Sequence, residues 1–143
     1  MIAVDTNVLI YAHRAEAPRH ASALATLKQI AESGLPWAMP IFCISEFVRV
    51  VTHPRVFSPA TSLEVALDYL ERLLASPGAR LLVPSPSFPL VFAETCRLAG
   101  ARGNLVFDAQ IVALCREHGV DRILTEDRDY ARFPQIETQR LTP

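Results

Sequence analysis

The sequence predicts an α/β protein: a three-layer α/β/α sandwich around a short, mostly parallel sheet. Three observations predict it. Short apolar runs (IAVD, WAM, RLLV and DRILT) recur along the chain, and such continuous runs suit strands covered on both faces. Helix-length stretches with apolar residues at helical spacing alternate with them. Proline, glycine and serine mark most of the boundaries. At 143 residues the chain is read as one domain, residues 1–143, long enough to close a real core.

Residues 2 to 5 (IAVD) read as a buried strand, and 6 to 14 (TNVLIYAHR) as a helix with Thr6 or Asn7 near its cap. Residues 19 to 33 place Leu24, Leu27 and Ile30 at helical spacing before Gly34. A short strand at 37 to 39 (WAM) sits between Pro36 and Pro40. Residues 41 to 52 (IFCISEFVRVVT) form a mostly buried helix, and HPRVFSPAT, with two prolines, forms a loop. The helix at 62 to 75 carries Leu63, Ala66, Leu67, Leu70 and Leu74 on one side. After SPG comes a strand at 80 to 83 (RLLV), closed by PSPSFP. Helices follow at 89 to 99 and 106 to 118, ended by Gly100 and Gly119. A strand at 121 to 125, a helical turn in EDRDYARF and a last strand at 136 to 141 complete the chain. In parallel sheets of this kind, ligand sites gather at the carboxyl ends of the strands.

Half the residues are apolar and a fifth charged, which excludes a disordered chain. No apolar run reaches the roughly 18 to 20 residues of a membrane span. The start lacks the basic stretch and small-residue cleavage site of a secretory signal. Cys43, Cys96 and Cys115 show no paired spacing, so they read as reduced thiols in a cytoplasmic protein. A net charge of −1 advertises no basic field for nucleic acid, although the cations are nearly all arginine, whose planar fork suits phosphate.

The acids decide where function is sought. Asp5 ends the first strand, Glu46 sits inside IFCISEFVRVV, and Asp108 sits inside NLVFDAQIVAL. Glu126, Asp127 and Asp129 follow the strand RILT. An ionised carboxylate among apolar residues costs several kcal/mol unless paired, protonated or bound to metal. Arg49 is placed to serve Glu46 alone, and no cation lies close in sequence to Asp5 or Asp108. Each acid has a structural role open to it: Asp5 as a helix cap, Glu46 as the partner of Arg49, Asp108 as a first-turn acid, Asp127 and Asp129 as turn formers. All of those roles must hold together to dispense with a shared counterion. Hard oxygen ligands from separate segments suit Mg²⁺ or Mn²⁺. Thr6, Asn7, Asn104 and Thr125 stand close to these acids in sequence, as supporting groups do.

Taken together, VDTNVLIYA, ISEFVRVVTHPRVF, GNLVFDAQIVALCREHG and ILTEDRDYARFP resemble the motif set of PIN domains. More narrowly they resemble VapC-type ribonuclease toxins of toxin–antitoxin pairs, over nearly the whole chain. The resemblance implies Asp5, Glu46, Asp108 and Asp127 as the catalytic acids, with Asp5 and Asp108 as metal ligands for Mg²⁺ or Mn²⁺. Thr6, Asn7, Asn104, Thr125 and Asp129 would support them. The turn departs from the pattern, reading TEDRDY with an extra acid and a Tyr, so Glu126, Asp127 and Asp129 compete for the fourth place.

The implied reaction is hydrolysis of an RNA phosphodiester to 5′-phosphate and 3′-hydroxyl ends, with Asp127 or Glu46 orienting the water. With the four acids neutralised by metal, the charge balance turns cationic, and Arg49, His53 and Arg55 then read as contacts for RNA phosphates. The implied partners are an RNA substrate, a VapB-like antitoxin and a second copy of the chain, with residues 6 to 33 and 41 to 52 as candidate surfaces. No membrane partner is expected. Two other readings are a non-catalytic protein-binding module that keeps the fold and a haloacid-dehalogenase-like phosphatase. The second needs an Asp at position 7, where Asn7 stands, and a catalytic lysine, for which Lys28 is poorly placed. A phosphoacceptor receiver domain fails on the same lysine.

Overall fold

The computed structural model describes residues 1–143. Five short strands, β1 (Ile2–Val4), β2 (Trp37–Pro40), β3 (Ala79–Leu82), β4 (Arg122–Leu124) and β5 (Glu137–Gln139), make one sheet. Their order is β3-β2-β1-β4-β5, and all four pairings are parallel, so the sheet is wholly parallel where the sequence predicted mostly so. Six helices connect them: α1 (Thr6–His13), α2 (His20–Glu32), α3 (Ile41–Val51), α4 (Leu63–Leu74), α5 (Phe88–Ala99) and α6 (Leu105–Glu117). A 3₁₀ turn at Arg128–Arg132 links β4 to β5. No helix is long and apolar enough to cross a membrane.

The chain steps from β1 through β2 to β3 in one direction, then returns past β1 to β4. Right-handed crossovers therefore place α1 to α4 on one face and α5 with α6 on the other. Contacts agree: α1 packs on α2 and α3, α3 on α4, and α5 on α6. The reversal falls between β1 and β4, whose register pairs Val4 with Leu124. Asp5 and Thr125 thus leave the sheet side by side, and the Asp5 backbone N–H donates to the Leu124 carbonyl at 3.0 Å. Such a switch point opens a crevice at the carboxyl edge.

One core of 29 buried residues runs through the molecule, with Trp37, Phe47, Tyr130 and Phe133 among its largest members. Helix rotations differ from expectation in two places. In α2 the buried side chains are Ala23 and Leu27, while Leu24 turns outward. In α4 Ala66 and Leu70 are buried, while Leu63 and Leu67 face solvent. Elsewhere the difference is one or two residues at element ends. Asp5 leaves the strand because it is the N-cap of α1, the helix-cap role the sequence left open to it, and Thr6 and Asn7 fall inside the helix. In the helices expected to dock partners, Val8, Leu9, Phe47 and Val51 are fully buried core, while Ile10, Tyr11, Ile30, Ile41, Phe42, Ile44 and Val48 are half-buried and Leu24 is exposed.

Gly78 fixes the entry to β3. Its carbonyl accepts from the Trp37 N–H at 2.9 Å, and a Cβ there would lie 2.2 Å from the Leu35 carbonyl oxygen. The loop after α3 is held from α1. Arg14 donates to Thr61 Oγ1 at 3.0 Å and to the Pro59 carbonyl at 2.9 Å, and its guanidinium lies 4.4 Å from the Phe57 ring centre. His13 Nε2 bonds the same Thr61 hydroxyl at 3.0 Å.

Candidate functional site

Asp5 is the fixed point of the carboxyl edge. Its Oδ1 accepts from the Thr6 backbone N–H at 2.8 Å and the Tyr130 hydroxyl at 3.2 Å. Its Oδ2 accepts from Asn7 Nδ2 at 2.9 Å and Thr125 Oγ1 at 2.7 Å. The Asn7 amide extends the brace: its Oδ1 accepts from the Glu126 N–H at 3.1 Å. Thr125 Oγ1 in turn accepts from the Asp127 N–H at 3.0 Å, so β1 and β4 are tied through side chains beyond their last backbone pair. Helix capping and site building coincide in Asp5, since one carboxylate satisfies a helix N–H and anchors the network.

Thr6 reaches the other way. Its hydroxyl donates to Glu46 Oε2 at 2.9 Å, bringing α3 to the same edge. The Glu46–Arg49 pair that the sequence left open does not form. The four ion pairs of the structure are Arg14–Glu16, Arg19–Glu126, Arg72–Asp68 and Arg116–Glu94. None involves Asp5, Glu46, Asp108, Asp127 or Asp129.

On α6, Asp108 stands in the first turn, close enough to feel the Asp5 charge. Asp108, Asp127 and Asp129 each bring a carboxylate oxygen within 4.8 Å of the others. Asp127 also caps the 3₁₀ turn, its Oδ1 accepting from the Asp129 N–H at 2.8 Å. Glu126 points elsewhere. It sits 3.8 Å from Arg19, accepts from the Leu141 N–H at 2.8 Å, and so fastens the C-terminal segment. Of the three competing acids, two join Asp108 and Glu126 does not.

Charge crowding shows in the proton affinities. Burial raises the Asp5 carboxyl from 3.8 to about 6, against the lowering effect of bonds from Thr125, Thr6 and Tyr130, with Glu46 raising it further. Asp108 is raised from 3.8 to about 7 by burial, then by the charges of Asp127, Asp5, Asp129 and Glu46. The Tyr130 hydroxyl is held well above its usual range by burial and by Asp5, so it stays a donor. A divalent cation among these acids would remove the repulsion at its source. The donor set is all hard carboxylate oxygen, which suits such a cation.

The remaining candidates fall outside the network. Arg49 and Arg55 are exposed, with Arg55 beyond the end of α3, where its backbone N–H donates to His53 Nδ1 at 3.1 Å. Asn104 is exposed at the start of α6 and makes no cap bond. Tyr130 was not among the residues singled out from sequence as a partner of Asp5. Its only signal is the aromatic that ends TEDRDY.

Comparison with known proteins follows the same lines. Residues 2–136 match the family model described as PIN domain. Ribonuclease VapC43 of Mycobacterium tuberculosis is 36% identical over 136 residues, covering 95% of this chain and 92% of that one. The fold is similar to that of VapBC2 from Rickettsia felis bound to a DNA fragment from its promoter. There the TM-score is 0.71 at 18% identity, covering 99% of this chain and 100% of that one. It is also similar to Mycobacterium tuberculosis VapC20, a toxin that cleaves the sarcin–ricin loop. The TM-score is 0.66 at 16% identity, covering 96% of this chain and 99% of that one.

Proposed function

The chain belongs to the PIN domain family, and we propose that it is a metal-dependent endoribonuclease, the toxin of a type II toxin–antitoxin pair. The observation that carries the reading is the meeting of Asp108, Asp127 and Asp129 within 4.8 Å beside the braced Asp5, with no cationic side chain paired to any of them. RNA as the substrate rests on relatives named as ribonucleases.

Asp5 and Asp108, the ligands expected from the sequence, would hold Mg²⁺ or Mn²⁺ together with Asp127 and Asp129, whose oxygens meet those of Asp108. When bound, the ion would make a water a stronger nucleophile and draw charge from the phosphate oxygens. The chain's own groups do the rest. Thr6, Asn7, Thr125 and Tyr130 hold the Asp5 carboxylate in one orientation. Glu46 is steadied by Thr6 through Oε2, which leaves its other oxygen to orient the attacking water and accept its proton. Attack forms a bond from that water oxygen to phosphorus, the bond to the 3′ oxygen breaks, and the leaving oxygen takes up a proton. The products are 5′-phosphate and 3′-hydroxyl ends.

A VapB-like antitoxin is the proposed partner, supported by the likeness of the fold to VapBC2 and FitAB structures. A homodimer belongs to the same reading, and light scattering of the purified chain tests it. The activity itself is tested by incubating RNA pools with Mg²⁺ or Mn²⁺, with EDTA, and with Asp5→Asn and Asp108→Asn. Cleavage lost with EDTA and in both variants supports the reading. A chain that neither binds Mn²⁺ nor cuts RNA leaves the acids structural and favours the binding-module alternative.

A further inference from the structure

A second feature opens beside the acidic centre, between α3 and α6. It is a cavity of about 490 Å³ whose wall includes Phe42, Glu46, Arg49, Asn104, Phe107 and Gln110. That volume falls within the roughly 300–1,000 Å³ of pockets that hold small ligands. Glu46 belongs to both places: it is bonded to Thr6 of the centre and forms part of the cavity wall. Whatever enters the cavity therefore lies next to the phosphate being cut.

The lining chemistry is specific. Phe107 is 59% exposed, so its ring face is open to an incoming ligand at the cavity wall. It immediately precedes Asp108 on α6. Phe42 backs the same cavity and is fixed by a tilted contact with Phe88, ring centres 5.8 Å apart. The side chains of Asn104 and Gln110 make no hydrogen bond within the chain, although both amides can donate and accept. The Arg49 guanidinium is exposed and pairs with no acid. A flat apolar face, two uncommitted amides and a free cation beside a phosphate-cutting centre match the parts of one nucleotide. Single-stranded RNA is read in this way, by stacking an unpaired base on an aromatic ring and bonding its edge.

Resting on the ribonuclease reading, we propose that this cavity is a nucleobase subsite: it takes one unpaired base of the substrate RNA next to the scissile phosphate. Phe107 stacks on the base, Asn104 and Gln110 bond its edge, and Arg49 meets a flanking phosphate. Gln110 is thus a specificity-determining residue, and Phe107 supplies affinity that any base can use.

The test uses a randomised single-stranded RNA pool, cut by wild type, Phe107→Ala and Gln110→Ala and sequenced at the new ends. Mn²⁺ binding measured by calorimetry shows that the acidic centre is intact in each. Phe107→Ala is expected to lower kcat/KM about 10- to 100-fold, mainly through KM, the range that a lost base–aromatic stack produces. Gln110→Ala is expected to relax base preference at one position. Wild-type kcat/KM and an unchanged base profile in both variants would overturn the subsite. A second readout does not need cleavage: fluorescence anisotropy of labelled single-stranded RNA on Asp108→Asn, with and without Phe107→Ala. Phe107-dependent binding to Asp108→Asn, together with a wild-type chain that cuts no RNA, keeps the subsite and removes the ribonuclease reading. Wild-type cutting that Phe107→Ala leaves unchanged does the reverse, and a wild-type chain that neither cuts nor binds single-stranded RNA overturns both.

Discussion

Replacing Asp108 with asparagine should stabilise the metal-free protein above neutral pH. Asp108 titrates at 3.8 in an unfolded chain and at about 7 in the fold, because burial and four neighbouring carboxylates oppose its charge. The folded state therefore holds this proton more tightly. That contribution to stability is complete below pH 4 and is lost as pH rises through about 7. For a sealed site the difference corresponds to about 4 kcal/mol. Asp108 is only half-buried, and screening by water reduces this to about 2 kcal/mol. Asparagine has nothing to ionise, so Asp108→Asn should match wild type near pH 4 and exceed it at pH 8 in EDTA. For a chain of this length that gap is roughly 6 °C in Tm. Calorimetric melts from pH 4 to 8 measure it. Saturating Mn²⁺ should raise the wild-type Tm and narrow or invert the gap, because a cation bound only by the folded state stabilises it. An Asp108→Asn protein that melts at or below wild type in EDTA at pH 8, with the same pH slope, would refute the reasoning.

Asp5→Ala should be the opposite case, losing about 3 kcal/mol in urea unfolding, because it strands the Thr6 N–H and the side-chain donors of Asn7, Thr125 and Tyr130. Tyr130→Phe removes one bond that favours the Asp5 anion, so the acid limb of the pH–rate profile should move to higher pH. Glu126→Gln should leave cleavage and Mn²⁺ affinity at wild-type values, whereas Asp127→Asn should lower both by tenfold or more, read by calorimetry and initial rates. Arg14→Ala should free the loop at residues 53 to 61, seen as faster cutting there in limited proteolysis and a loss of about 1–2 kcal/mol.

The order of elements was legible because strand and helix differ in period and because Pro and Gly punctuate nearly every join. Rotation about a helix axis was less so. In α2 both Leu24 and Ala23 satisfy a helical pattern, and only packing against α1 decides that the smaller one turns inward. At the site, misplaced acids were visible as a class, since a carboxylate inside an apolar run is costly wherever it lies. Their individual duties depend on backbone direction after β4. The 3₁₀ turn swings Asp127 and Asp129 towards α6 and leaves Glu126 facing Arg19 and Leu141, a choice that adjacent acids in a sequence do not reveal. The missing Glu46–Arg49 pair has a similar origin. Their spacing permits it, but a hydroxyl from α1 takes Glu46 instead.

The two halves of the acidic edge are built on different physics. Asp5 is given four donors, so its charge has partners whether or not a cation is present, and its orientation persists in both states. Asp108, Asp127 and Asp129 have a single backbone donor among their carboxylates, the Asp129 N–H on Asp127. Their repulsion is left for a cation to relieve. On the proposed reading, a rigid anchor sets where the ion sits, and the crowded trio supplies most of the drive to bind it. Neutralising Asp108 should therefore weaken binding while strengthening the fold, whereas cutting the anchor should damage both. That opposition in sign is what separates a metal centre from a set of acids kept only for structure.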